Sequence, residues 1–489
     1  MRTSFPKRNK FNLSHYRGFT GKMGELLPCG VVEVLPGDSF RHSASVMLRL
    51  LPMLAPVMHP VHVRIHHFFV PTRQIWEDWE DFITGGSDGN DASVFPTITI
   101  SGGIAKGTLA NYLGLPVTSG DTEVSALPFR AYAHLFNTLY RDQDLVSEVG
   151  LSVAAGADST TNTSLLRCMV EKDYFTTARP WEQKGSAVSL PLGDTAPVVT
   201  NNNNPIFDGT GGNGNLSVSS SNVGYTGPAA AGILHFGSET GLEVDLSSAS
   251  GADVNDFRLA FALQRYMENR AKFGSNYADY LRYLGINPQD QRIDRPEYLG
   301  GGKQTIQFSE VLQTAEGTNP VGEMRGHGMA ALKSNAYQAF FAEHGYVISL
   351  FSVRPKQIYG SSIHRMWNKR VKEDFWQKEL EHIGQQPILN KEIRGDHATP
   401  EGTFAYQDRY DEYRRLFSQY TGDFADSVAN SWHLAHLYAS DPSLNADFVT
   451  CEPSSRIFAE QTEDHLYAMM HHNLKARRML SKQATNHIF

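Results

Sequence analysis

Cysteine is scarce in this chain: Cys29, Cys168 and Cys451 are the only three in 489 residues. They are widely spaced, odd in number and form no C-x-x-C pair. That weighs against a disulfide framework or a zinc site, and it predicts a chain kept reduced, as in a cytoplasm. Long apolar runs are missing as well. The most apolar stretch, residues 46–61, is broken by Arg49, Pro52, Pro56 and Pro60, so it does not span a membrane. The first residues hold no apolar core of the kind a secretion signal needs, and no signal peptide is expected. The zinc-protease pattern H-E-x-x-H does not occur. The run GGGKQT at 300–305 departs from the phosphate-loop pattern twice, at Glu297 and at Gln304.

Charge of one sign is missing from three stretches. Residues 1–24 contain no acid, and neither do residues 465–489. Residues 185–257 contain no Lys or Arg. The whole chain is acidic, with a net charge of −8. A protein that coats nucleic acid with its entire surface would be basic, so any such contact is local. Segment 185–255 is also rich in Gly, Ser, Asn and Thr, which bury little apolar surface. Its short apolar pieces, 187–192, 232–236 and 242–246, are candidates for small paired strands.

What is present reads as β structure. Residues 31–35 form a β-branched run closed by the turn Pro36-Gly37-Asp38. Residues 40–51 are a second extended candidate. Residues 61–69 alternate, with Val61, Val63, Ile65, His67 and Phe69 on one face. The prolines at 52, 56 and 60 forbid a helix between these last two runs. Strand, turn, strand, Pro-rich crossover, strand predicts an antiparallel sandwich. Thr97–Ile100 and residues 346–353 are further strands. Helices are expected at 127–141, where Pro128 suits a first turn, at 256–273 and at 276–284.

Several motifs resemble the major capsid protein of the gokushovirus-type microviruses, small icosahedral bacteriophages with single-stranded DNA. They are NLSHYRG (12–18), LPGDSF (35–40), HHFFVPTR (66–73), WEDW (76–79), DYFTTARPWEQKG (173–185), RPEYLGGG (295–302) and VGEMRGHG (321–328). The resemblance runs from Phe5 to Arg478, leaving out 185–255. The ending RRMLSKQATNHIF departs from the family's Pro- and Gly-containing tail. The resemblance implies a mainly β fold, an eight-stranded antiparallel viral jelly roll with long loop insertions containing short helices. It implies a basic arm at 1–24, one capsid domain at 25–489, and a surface protrusion built from 185–255. It implies a structural protein rather than an enzyme, with no catalytic residue, metal or cofactor. The expected partners are other copies of the chain, sixty in a T=1 shell assembled through pentamers, and a circular single-stranded DNA genome. A small internal DNA-binding protein, a minor pilot protein and a host surface receptor complete them. The expected setting is the virion, with synthesis and assembly in the cytoplasm of a bacterial host and no membrane insertion.

Candidate DNA-facing residues are Arg2, Lys7, Arg8, Lys10 and Arg17 at one end, and Lys475, Arg477, Arg478 and Lys482 at the other. Phe5, Phe11 and Tyr16 are candidates for stacking on unpaired bases. The plainer alternative is an arm that ties one copy to the next through carboxylates such as Glu77 or Asp81. Candidate host-contact residues are Asn201, Asn204, Asp208, Asn213, Asn215, Asn222 and Tyr225. His59, His62, His66 and His67 crowd one segment, and His62 and His66 share a strand face. A metal is geometrically conceivable there, but structural roles are expected. Two other classes compete with a shell protein: a secreted or cell-surface carbohydrate-active β-sandwich, and a host-binding spike. The first should carry a signal peptide and a functional carboxylate pair, and neither stands out.

Overall fold

Two antiparallel sheets meet across a shared core, and the alternation of their strands decides which side chains meet. The structure is a computed structural model. It describes residues 8–482 apart from 88, 187, 275–276, 287–288, 290–293 and 315–319. Between 189 and 253 it describes only the backbone of short strands. By contact the chain divides into two compact units, Met1–Glu182 with Arg270–Phe489, and Gln183–Asn269.

In the first unit the main strands are β1 (Asn9–Asn12), β2 (His15–Gly21), β3 (Leu27–Val34), β4 (Ser39–Leu50) and β5 (Val61–Pro71). They continue as β6 (Glu297–Thr305), β7 (Gln307–Leu312), β8 (Met324–Lys333), β9 (Tyr337–Phe340), β10 (Gly345–Pro355) and β11 (Leu466–Arg478). One sheet has seven strands in the order β1-β11-β4-β8-β7, with β2 also on β11 and β9 also on β4. The other has four, in the order β6-β5-β10-β3. The expected strands at 61–69 and 346–353 fall within these ranges, and those at 31–35 and 40–51 each overrun the observed strand by one residue at the C-terminal end.

The layer between the sheets is apolar because both contribute their alternate positions. Val46, Leu48 and Leu50 of β4 and Leu466, Ala468 and Met470 of β11 meet Val61, Val63 and Ile65 of β5 and Phe351 and Val353 of β10. Burying side chains of this size contributes about 1.5–3 kcal/mol each. The Pro-rich crossover after β4 lies against β8. A Cβ on Gly326 would stand 2.4 Å from the Ala55 carbonyl oxygen, so only glycine lets the two backbones approach.

Three histidines interrupt this layer. His472 Nε2 donates to the Cys29 carbonyl at 3.0 Å, which leaves its Nδ1 to accept. His42 Nε2 donates to that nitrogen at 3.0 Å, and the Tyr337 hydroxyl donates to His42 Nδ1 at 3.1 Å. With both rings neutral, the direction of the chain is fixed from end to end. His67 is held by Ser349 at 2.8 Å and Ser334 at 3.1 Å. Burial first, and neighbouring imidazoles second, push the pKa of His42 down to about 2 and of His67 to about 3. Burial pushes His472 to about 4.

The outward face of the four-stranded sheet is covered. Phe68, Val70, Ile348 and Leu350 pack against the helix Leu127–Leu135, which begins with Pro128 in its first turn, and against Trp76. Arg130 of that helix is fully buried. It donates to Asp158 at 2.8 Å and to the carbonyls of Ile75 at 3.1 Å and Ala154 at 2.8 Å. The outward face of the seven-stranded sheet has no such cover among the described residues.

The unit Gln183–Asn269 contains a four-stranded antiparallel sheet, in sequence order Ile206–Gly209, Gly212–Ser219, Asn222–Thr226 and His235–Phe236. Val198–Thr200 pairs with Leu242–Val244. Two of the expected apolar pieces therefore pair, in shorter form, while 187 and 189–192 lie outside the described residues. The Gly- and Asn-rich stretch 212–219 is itself a strand. Backbone pairing asks only for extended geometry, which glycine adopts freely. The expected helices are Val254–Phe273 and Tyr277–Tyr283.

Candidate nucleic-acid interface

The uncovered face of the seven-stranded sheet is where the acid-free ends of the chain come together. β1 pairs with β11 so that Lys10 lies opposite Arg477 and Asn12 opposite Lys475. β4 pairs on the other side of β11, placing Arg41 beside Lys475 and Arg49 beside Tyr467. β8 adds Lys333 beside Ser45. Alternation turns Lys10, Arg41, Arg49, Lys333, Lys475 and Arg477 to the exposed side. None of the six has an ion-pair or hydrogen-bond partner among the described residues, and no Asp or Glu occupies an in-phase position on these strands. Arg325 at the β8 end is paired, with Glu323 at 2.5 Å.

Aromatic and thioether groups sit between the cations. Tyr16 is 73% exposed and stacks on His471 with ring centroids 4.4 Å apart. Met47, Met329, Met469, Tyr467 and Phe340 are exposed on the same face. Arg8 lies over the Phe340 ring at 4.9 Å and donates to Ser39 Oγ at 3.5 Å. Unpaired cations among flat, polarizable surfaces can hold phosphates and stack bases without reading sequence.

Residues 1–486 match the family described as capsid protein (F protein). The chain belongs to this family. It is 35% identical to capsid protein VP1 of Bdellovibrio phage phiMH2K, over 90% of this chain and 87% of that one. It is 30% identical to capsid protein VP1 of Chlamydia phage 1, over 91% and 90%. The same protein of Spiroplasma virus 4 is also 30% identical, over 90% and 87%. These are the gokushovirus-type capsid proteins that the sequence motifs resemble.

Within this capsid chain the candidate DNA-facing residues divide. Lys10, Lys475 and Arg477 share the open face. Arg17 is on the opposite phase of β2 and donates to the Tyr112 carbonyl, and burial lowers its pKa. Arg478 also turns inward, to Asp38 at 3.1 Å and the Glu33 carbonyl at 2.7 Å. Lys482 is exposed beyond the end of β11. Arg2 and Lys7 lie outside the described residues, as does Phe5. Arg41, Arg49 and Lys333 join the face without having been picked out from the sequence. The signal for Arg41 and Arg49 was available in the alternation Arg41-Ser43-Ser45-Met47-Arg49.

Among the candidate host-contact residues, Asn201 and Asn204 lie outside the described residues. Asp208 pairs in register with Asn213 and with His235. Asn215 pairs with Ile206 and Thr226, Tyr225 with Leu216, and Asn222 with Ser219.

The crowded histidines are separated by the fold. His59 reaches the Lys356 carbonyl at 2.8 Å, His66 the Tyr140 hydroxyl at 2.7 Å, and His62 the Glu171 carboxylate at 2.9 Å. Burial alone would raise the Glu171 carboxyl. The His62 hydrogen bond and the charges of Arg64 and Lys303 outweigh it and bring the pKa to about 2. That carboxylate is remote in sequence, which is why the segment alone did not show it. Glu77, Asp78, Glu80 and Asp81 cluster at the start of the helix Trp79–Thr84.

Proposed function

We propose that this capsid protein assembles as sixty copies, through pentamers, into a T=1 shell around a circular single-stranded DNA genome. The open cationic face of the seven-stranded sheet would line the lumen. The observation that carries this reading is the set of six unpartnered cations on one acid-free face. A closed shell keeps such charge only if something anionic meets it. The sandwich is, in this reading, an eight-stranded viral jelly roll, with 1–24 as a basic arm and 25–489 as one capsid domain. Segment 185–255, base-free and acidic, would lie outside and meet a host surface receptor. A small internal DNA-binding protein and a minor pilot protein are the further partners, and synthesis takes place in the host cytoplasm. The role is structural, with no catalytic step. Among the described residues no helix is long and apolar enough to cross a membrane.

Electron microscopy of the purified chain tests the reading. Closed isometric shells, or pentamers that convert to them when single-stranded DNA is added, are expected. A folded monomer at micromolar concentration that never enlarges under any assembly condition would overturn it.

A further inference from the structure

A cavity of about 1050 Å³ opens at the β2 end of the open face. That is at the upper end of the size of small-molecule clefts, about 300–1,000 Å³. It lies where Tyr467 and Met469 of β11 and Met47 and Arg49 of β4 meet the loop carrying Lys106. Several polar groups of its wall are already committed. Arg17 donates to the Tyr112 carbonyl, Lys22 to the Thr462 carbonyl at 3.3 Å, and Thr20 to Asp464 at 2.5 Å. Arg49, Lys106, Glu463 and the Tyr467 hydroxyl have no partner among the described residues. What remains available is two cations, the Glu463 carboxylate, one oxygen of Asp464 and a floor of tyrosine and methionine.

We propose that this cavity is a nucleotide subsite, which takes one unpaired base and its 5′-phosphate from a single strand lying on the open face. The proposal rests on the reading of that face given above and adds a specific place and a base preference to it. Tyr467 with Met47 and Met469 supplies a flat, polarizable surface for the base. Arg49 and Lys106 stand at the mouth as phosphate partners. Glu463 accepts hydrogen bonds only. It suits a base with an exocyclic amine, such as cytosine, better than thymine, whose exocyclic oxygens only accept and which offers a carboxylate only its ring N3–H. The cavity shares Met47, Arg49, Tyr467 and Met469 with the open face, so a strand already on the sheet reaches it directly. A segment of a second copy is the rival occupant. The two free cations and the continuity with the acid-free face favour a nucleotide.

The test is saturation-transfer NMR on the full chain with dCMP and dTMP. Transfer to the cytosine ring protons is expected, with dTMP weaker. In Lys106→Ala and in Tyr467→Leu, dCMP affinity should fall roughly tenfold. Lys378→Gln, on an exposed turn outside the sheet, should leave it unchanged. Both altered side chains are at the surface, so folding is retained. No transfer to either nucleotide, or equal transfer in both variants, overturns the subsite. So does a loss of shell formation in these variants with dCMP binding unchanged, which assigns the cavity to a contact between copies. The reading of the face fails separately. It falls if a long oligonucleotide binds equally well after Lys10, Arg41, Lys475 and Arg477 are neutralised, whatever dCMP does.

Discussion

The four-stranded sheet is covered on both faces, and the seven-stranded sheet on one. Their sequences differ accordingly. β10 reads YVISLFSV through its centre and is buried almost throughout. β4 and β11 alternate strictly, buried then exposed. β10 does carry one buried cation, Arg354, which donates to the Met169 carbonyl at 2.8 Å. Arg130, on the helix that covers this sheet, has each nitrogen of its guanidinium matched to an oxygen. On the open side Arg41, Arg49 and Arg477 are matched to nothing among the described residues. The same residue type thus holds one layer together and leaves the other available for a partner. β4 makes the contrast within a single strand, since buried His42 follows exposed Arg41.

This contrast can be broken most forcefully at Arg130. Arg130→Met leaves Asp158 buried without its cation, and a loss of about 3–5 kcal/mol is expected. Arg41→Gln, on the open face, should change stability by no more than about 0.5 kcal/mol. Urea midpoints of the two variants give the comparison.

The next effect is on pH. His42, His67 and His472 are neutral in the folded protein, with pKa values of about 2, 3 and 4. Unfolded, each would titrate near 6.5. The unfolded chain therefore binds more protons below that pH, and stability is lost as pH falls. The loss should begin below about 6.5 and continue through about 4 toward 2, at up to roughly 1.4 kcal/mol per pH unit for each ring. Urea midpoints at pH 7, 5.5 and 4.5 follow it. His42→Gln should flatten the slope, and a midpoint indifferent to pH over this range would contradict the directed hydrogen-bond chain.

The smallest effect belongs to Tyr16. Tyr16→Ala removes an exposed ring from the open face, and should weaken binding of a poly-dT oligonucleotide by about 1 kcal/mol. Stability should hardly move, because the ring is 73% exposed and stacks on His471 at the surface. Fluorescence anisotropy and a thermal melt separate the two.

Much of this was legible in the sequence. Period two in 61–69, the Pro-rich crossover and the apolar run at 346–353 announced strands there and an antiparallel arrangement. The acid-free ends announced a basic surface, because β1 and β11 carry those residues and happen to pair. Their pairing could not be read, since the two strands lie at opposite ends of the chain. Arg17 shows the limit of charge counting. It stands among basic residues in the sequence, but Tyr16 and Gly18 take the open phase of β2 and turn it inward. Lys333 was hidden for the converse reason, as nothing near it is basic until β8 docks on β4. The His42–His472 chain likewise joins residues that only the completed sandwich brings within 3.0 Å.

The central claim is that the open face meets phosphates. Its most direct test is the salt dependence of single-stranded oligonucleotide binding, for the natural chain and for a variant carrying Lys10→Gln, Arg41→Gln, Lys475→Gln and Arg477→Gln. Each phosphate contact on a single strand contributes about 0.7 to the slope of log K against log salt. The account predicts a slope shallower by about 3 in the variant, with unchanged thermal stability. An equal slope in both proteins would contradict it.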